Sequence, residues 1–277
     1  MEISEVQREA SNIINIPSSL IISIIVIVAV IIIVIIYKVM IKKEKLLHNL
    51  FWEEVRDKQK IESELYQLKS EKNKMERTFE KYLDKGLMDR AIHGNLKEGK
   101  HNASFLFTDL RGYTKLVENP QMAKMILDPY FAIVTNVVHY YNGTVSQFVG
   151  DSVECMFNIP KKQQDYILAA VISGLKIKKE IERFNSARPK DFPAIRCGIG
   201  INEGEIYLSL VGGDVKRYQP IGESVIVAND LSKHSSNRVI VPKNVYDKVK
   251  DKVIAKRAGT IVVKGKTLEI YEIEDLY

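Results

Sequence analysis

The sequence predicts an α+β fold: a ferredoxin-like βαββαβ domain preceded by a transmembrane helix and a coiled-coil helix. Three observations carry that expectation. An apolar run fills residues 20–37, a charged stretch without Gly or Pro follows at 44–85, and from Ala103 short apolar runs alternate with amphipathic ones.

The elements follow in chain order. Residues 1–16 are too few for a folded sensor and read as a short extracytoplasmic N-terminus. Residues 17–40 read as the transmembrane helix. The run LIISIIVIVAVIIIVIIY from Leu20 to Tyr37 has Ser23 as its one frankly polar residue, and with Ser18 and Ser19 it spans roughly the 30 Å of a bilayer's hydrocarbon core. Pro17 suits a first helical turn, where its missing N–H costs nothing. A cleaved signal peptide fits less well, because the start is mixed in charge (Glu2, Glu5, Arg8, Glu9) and the run ends in Tyr37-Lys38. Lys38, Lys42, Lys43 and Lys45 then place the C-terminal bulk in the cytoplasm by the positive-inside rule, at the inner or plasma membrane.

Between residues 44 and 85, apolar residues recur at steps of four and three: Leu47, Phe51, Ile61, Leu65, Leu68, Met75, Phe79 and Tyr82. Glu54, Lys58 and Lys72 interrupt the seam. A parallel coiled-coil dimer accounts for this better than a solvated spacer, since a lone helix this polar has little to hold it. Gly86, Gly94 and Gly99 loosen the connection to a domain expected over 100–277. There the expected order is a strand at Ala103–Asp109, a helix at Gln121–Tyr141, a hairpin of Thr144–Val149 and Ser152–Phe157, a helix at Gln163–Asn185 and a strand at Ala194–Asn202. Beyond it come a strand near Glu205–Val211, a helix near Glu223–Ser235, and a closing pair near Val253–Val263 and Thr267–Ile273.

Composition narrows the chemistry. The net charge of +6 is dispersed except for the cluster Lys38–Lys45 beside the apolar run, so it calls for a membrane surface and not for nucleic acid. Cys155 and Cys197 each sit in an apolar strand-like run, as reduced core thiols do, and five scattered histidines give no zinc spacing.

The candidate chemistry lies in two aspartates. Asp109 ends the first strand and Asp151 sits at the hairpin turn beside Gly150, so the topology aims both carboxylates into one space. Two such anions repel each other until a divalent cation joins them, and oxygen ligands without His or Cys suit Mg²⁺ or Mn²⁺. Either Asp alone would be an ordinary turn former; the pair at these two places is the signal. Leu110-Arg111-Gly112-Tyr113-Thr114 should turn sharply into a helix, with backbone N–H groups of Gly112, Tyr113 and Thr114 facing a phosphate.

Five ordered blocks, FLFTDLRGYT, FVGDSVECMF, IRCGIGINEGEIYLSLVG, RYQPIGESVIVANDL and VKGKTLEIYEI, resemble the successive signatures of class III nucleotidyl cyclases from about Lys81 to Tyr277. The resemblance implies a homodimer with composite sites at its interface. It implies two metal ions held by Asp109, Asp151 and the Leu110 carbonyl, which help the ribose 3′-oxygen of a nucleoside triphosphate attack the α-phosphate and expel pyrophosphate. Lys264 falls on the family's phosphate-binding lysine; otherwise it is a solvated hairpin residue.

The departures from the family fall on base and transition state. Gln147 replaces the base-reading lysine of adenylate-specific members, and Gln219 replaces their Asp or Thr. Ile226 replaces the ribose-orienting Asn, and Asp230 replaces the transition-state Arg, a loss that should cost catalysis several kcal/mol. Asn229 and Lys233 are the candidates to stand in, though Lys233 reads more plainly as an exposed helix residue. Bacterial pyrimidine cyclases of anti-phage (Pycsar) systems have rewritten base-recognition positions, and two glutamines offer the mixed donors and acceptors that uracil or cytosine needs. The expectation is therefore a cyclase acting on UTP or CTP and signalling to a cyclic-nucleotide-sensing effector. An atypical adenylate or guanylate cyclase, and a silent cyclase homologue that binds a ligand, are the alternatives.

Overall fold

A computed structural model describes residues 17–79, 98–189, 192–214 and 216–277. The expected N-terminal segment 1–16, the end of the heptad stretch at 80–85 with Tyr82, and the connecting Gly86 and Gly94 lie outside these residues. Contacts divide the chain into two units, Met1–Glu76 and Arg77–Tyr277.

The first unit is one helix, α1 (Ser18–Phe79), of 62 residues. It opens with the Leu20 and Ile21 amides donating to the Pro17 carbonyl. It is long and apolar enough to cross a membrane near its N-terminal end. Its heptad residues stand open in the single chain: Leu47, Phe51, Ile61, Leu65, Leu68 and Met75 are all exposed.

The second unit is an eight-stranded sheet with helices on its faces. Its elements are β1 (Gly99–Leu110), α2 (Tyr113–Leu116), α3 (Pro120–Tyr140), β2 (Thr144–Val149), β3 (Ser152–Phe157), α4 (Tyr166–Ala187) and β4 (Cys197–Gly212), then β5 (Lys216–Ile221), α5 (Glu223–His234), β6 (Val239–Pro242), α6 (Lys243–Val249), β7 (Val253–Val263) and β8 (Lys266–Leu276). The sheet order is β2-β3-β1-β4-β6-β8-β7, with β5 added beside β4. The order β2-β3-β1-β4 is that of the split βαββαβ unit, with β1 antiparallel to both neighbours.

Period-two alternation along β1 sorts its side chains. Leu106 and Leu110 join the large core under α3 and α4, with Ile126, Tyr130, Val134 and Ile177. Phe105 and Phe107 point to the opposite face, where Met156, Ile206, Leu208 and Ala228 meet them. Asp109 continues this second face. α5 lies on it because β4 offers glycines: a Cβ on Gly198 would stand 2.1 Å from the Ser232 carbonyl oxygen, and one on Gly200 would stand 2.3 Å from that of Ala228.

The structure differs from the sequence reading in several places. The expected break near Glu203-Gly204 is absent, and β4 is one strand of 16 residues. β1 starts earlier than expected, at Gly99, and its register with β4 runs unbroken from Gly99 opposite Leu208 to Leu110 opposite Cys197, so one long partner templates the other. The strand β5 and the short β6 and α6 were not expected at all. β6 (VIVP) is only four residues long, but it slots in parallel to β4 and antiparallel to β8, burying all four side chains.

Candidate active site

The chemistry gathers where β1 ends. The Asp151 carboxylate oxygen Oδ2 accepts the Leu110 amide at 3.1 Å, which ties the hairpin turn to the last residue of β1. Asp109 Oδ1 accepts the Ser152 hydroxyl at 2.8 Å, and its Oδ2 is ion-paired with Arg111 Nη1 at 2.8 Å. The two aspartates, Leu110, Arg111 and Ser152 therefore form one cluster. Gly150, with φ at +63°, makes the tight β2–β3 turn that brings Asp151 there.

Arg111 was not singled out by sequence reasoning. Its Nη2 also donates to the carbonyls of Ser232 and Ser235, where α5 ends, so one guanidinium joins a metal-ligand candidate to the helix carrying Ile226 and Asp230. A cation at the C-terminal carbonyls of a helix is favourably placed.

Gly112, in the left-handed region at φ 81°, caps the one-turn helix α2. The first helical amide to find a carbonyl there is that of Lys115, on Gly112 O at 3.1 Å, which leaves the Tyr113 and Thr114 amides ahead of it.

The base-recognition candidates lie apart. A β-bulge between Val145 and Gln147 shifts the register by one, so that Gln147 faces Glu154 across the hairpin. That places Gln147 on the Asp109 face of the sheet. Its Nε2 donates to Glu154 Oε2 at 2.9 Å. Gln219 sits on β5 opposite Ser209, whereas Asp109 sits opposite Gly198 on β4, and Tyr218 beside Gln219 packs against the cluster of Phe105, Phe107 and Met156. Lys264 occupies, with Gly265, the two-residue turn between β7 and β8 at φ 48°. A lysine in that conformation is uncommon and costs about 1 kcal/mol. Ile226 packs beside the apolar cluster of Val227, Leu231, Ile240 and Ile261. Asp230 is half-buried on α5 and its carbonyl faces His234 Nδ1 at 2.8 Å, while Asn229 offers its carbonyl to the Ser232 hydroxyl at 2.7 Å and Lys233 is exposed.

Residues 96–275 match the family described as the adenylate and guanylate cyclase catalytic domain. The chain belongs to that family. Among its relatives, adenylate cyclase 1 of Rhizobium meliloti (strain 1021) is 31% identical over 209 residues, covering 71% of this chain and 31% of that protein. The adenylate cyclase of Mycobacterium tuberculosis (strain H37Rv) is 25% identical over 191 residues, covering 65% of this chain and 42% of that protein. This chain thus spans less than half the length of these curated relatives. Among solved structures, the adenylyl cyclase CyaB from P. aeruginosa superposes with a TM-score of 0.60 at 27% identity, over 65% of this chain and 97% of that one. The guanylyl cyclase Cya2 superposes at 0.60 with 24% identity, over 65% and 96%, and shares the fold.

Members of this cyclase family use divalent metals, and Asp109 and Asp151 bring carboxylate oxygens to the end of β1, where Ser152 and Arg111 engage both oxygens of Asp109. Burial pushes the Asp151 carboxyl above its ordinary value and the neighbouring Asp109 charge adds to the shift, while Asp151's own amide and that of Leu110 oppose it. A divalent cation would relieve both destabilising causes. The donors are all hard oxygens, as Mg²⁺ or Mn²⁺ prefers. The two cysteines play no part: both are buried without a disulfide, and burial pushes the Cys197 thiol up to about 12.

One expected outcome follows from the sign of the Asp151 shift. A carboxyl raised in the folded state adds stability below its unfolded value and loses it as pH climbs through the folded value. Asp151 should therefore favour the folded, metal-free protein more in mildly acidic solution than at neutral pH, and Asp151→Asn should remove that contribution from the melting profile. Mn²⁺ at a hundred times its Kd should add about 2.7 kcal/mol at neutral pH. Scanning calorimetry with and without Mn²⁺ checks both, and an equal metal response in Asp151→Asn would contradict the assignment.

Proposed function

We propose that this chain is a membrane-anchored nucleotide cyclase that works as a homodimer. It takes a nucleoside triphosphate, with a pyrimidine base favoured, to the 3′,5′-cyclic nucleotide and pyrophosphate. The observation carrying the activity is the joined cluster of Asp109, Leu110 and Asp151 at the end of β1, inside a cyclase-family fold.

The reaction forms a bond from the ribose 3′-oxygen to the α-phosphorus and breaks the bond from that phosphorus to the bridging oxygen of pyrophosphate. Asp109, Asp151 and the Leu110 carbonyl would hold two divalent ions, which supply Lewis-acid stabilisation to the attacking and leaving oxygens. The Tyr113 and Thr114 amides, with Lys264, take up phosphate charge. Asp230 offers no cation to the α-phosphate, so the metals and these donors carry that burden.

The homodimer rests on the resemblance: in class III cyclases the sites are composite, each completed by a second copy at the interface. On one face of the arm, β4 and β5 leave Tyr207, Val211 and Ile221 exposed, an apolar surface that a second copy would cover. The open heptad seam of α1 calls for the same pairing as a coiled coil, and Leu20–Tyr37 would anchor it with the cyclase domain in the cytoplasm.

The pyrimidine preference rests on Gln147 and Gln219, which by resemblance fall on the positions of the family's adenine-reading side chains. It supports a role in anti-phage signalling through an effector that senses the product. The second reading, a silent ligand-binding homologue, draws on Ile226, which packs with apolar neighbours where a ribose-orienting amide would be needed.

The test incubates the full chain in detergent with ATP, GTP, CTP and UTP plus Mn²⁺ and identifies products by mass spectrometry. Cyclic UMP or cyclic CMP in excess is the expected result. Cyclic AMP or cyclic GMP in excess would overturn the pyrimidine preference, and metal-dependent binding without any product would select the silent reading.

A further inference from the structure

Glu154 plays no part in the metal cluster, yet it is a buried carboxyl beside it. It lies on β3 only 5% exposed, between Phe107 on β1 and Gln147 on β2. Burial pushes its carboxyl above the usual range, with Gln147 and Ser146 opposing. Its Oε2 accepts the Gln147 amide, while its Oε1 is buried with no hydrogen-bond partner among the described residues. A methionine or leucine would fill this place between Phe107 and Met156 without that penalty. A carboxylate kept there at a cost to stability points to a use.

An amide side chain can present either of its ends to a ligand, and packing alone rarely fixes which. In the structure the nitrogen end of Gln147 donates to Glu154 Oε2 at 2.9 Å, the one orientation that an ionised Glu154 accepts. The carbonyl Oε1 of Gln147 then turns outward, on the sheet face that also carries Asp109 and Ser152. We propose that Glu154 is a positioning residue for base selection: it locks the Gln147 amide so that the base reader offers an acceptor. The group read on the nucleotide is then an N–H of the base, the ring N3–H of uracil or the N4 amine of cytosine. This rests on Gln147 reading the base, as proposed above, but not on which base is preferred.

The test measures affinities of the four nucleoside triphosphates for the full chain in detergent with Ca²⁺, alongside melting temperatures. Wild type should separate its preferred base from the next by tenfold or more. Glu154→Gln keeps the shape but can either accept from or donate to Gln147, so both amide orientations become available. Its discrimination should fall at least fivefold, with a melting temperature equal to or above wild type because a buried charge is gone. The exchange Gln147→Glu with Glu154→Gln puts the carboxylate outward and a donor behind it, and should restore discrimination. A drop in melting temperature with discrimination unchanged would make Glu154 merely structural. No base discrimination in wild type, or no rescue in the exchange, would also overturn the proposal. A purine preference lost in Glu154→Gln and rescued in the exchange would sustain it while sinking the pyrimidine reading.

Discussion

Replacing Asp151 by alanine is expected to cut cyclic-nucleotide formation on the order of 10³-fold, with nucleotide affinity changed far less. The reason is local. The Asp151 carboxylate accepts the Leu110 amide, and burial together with the nearby Asp109 charge raises its carboxyl. Removing either carboxylate leaves a divalent ion one anionic ligand short and the developing charge on the α-phosphate unanswered. Alanine also frees the Leu110 amide, so Asp151→Asn is the control that keeps an acceptor for it. Both substitutions should lose activity alike if the metal is what matters. Full activity in Asp151→Asn would instead show that the hydrogen bond to Leu110, and no metal, is the function of this side chain. Product formation at saturating nucleotide and a range of Mn²⁺ concentrations checks this.

The second large effect is recovery. Take one chain with Asp151→Ala and another with Lys264→Ala, each alone expected to be severely impaired. In a mixed dimer, one site combines the intact carboxylates of the second chain with the intact lysine of the first. Coexpression should therefore return on the order of a quarter of wild-type activity: about half the dimers are mixed, and each has one good site of two. The basis is the proposed composite site, in which Asp151 of one copy and Lys264 of the other meet the same nucleotide; the β7–β8 turn hangs on strands reached by moving away from the Asp109 end. In the proposed dimer, the open apolar arm and the open heptad seam would supply the burial that a stable pair requires. Activity in the mixture no greater than the mean of the two parents would show that each chain holds its own complete site.

Much of this architecture is legible in the sequence because it rests on local pattern. The β2 and β3 boundaries, Thr144–Val149 and Ser152–Phe157, follow from alternating apolar residues around Gly150-Asp151. Asp109 and Asp151 are legible as a pair because the βαββαβ order alone makes their strands neighbours. What escapes is whatever depends on partners distant in sequence. β6 is four residues with no period of its own, and only its place between β4 and β8 makes it a strand. Arg111 is two residues from Asp109, but its hold on Ser232 and Ser235 depends on α5 lying across Gly198 and Gly200. Glu154 reads as one more residue of a hairpin until the bulge after Val145 sets Gln147 opposite it. Its burial, a long-range outcome, is what turns an ordinary acid into a positioning group.

The measurement closest to the central claim is product analysis on the full chain in membranes, with Mn²⁺ and all four nucleoside triphosphates at equal concentration. Pyrophosphate and cyclic nucleotide should form in equal amounts from wild type and vanish together in Asp151→Asn. Nucleotide consumed with no cyclic product, or a cyclic product that persists in Asp151→Asn, would contradict the claim that Asp109 and Asp151 form a metal-dependent cyclase site.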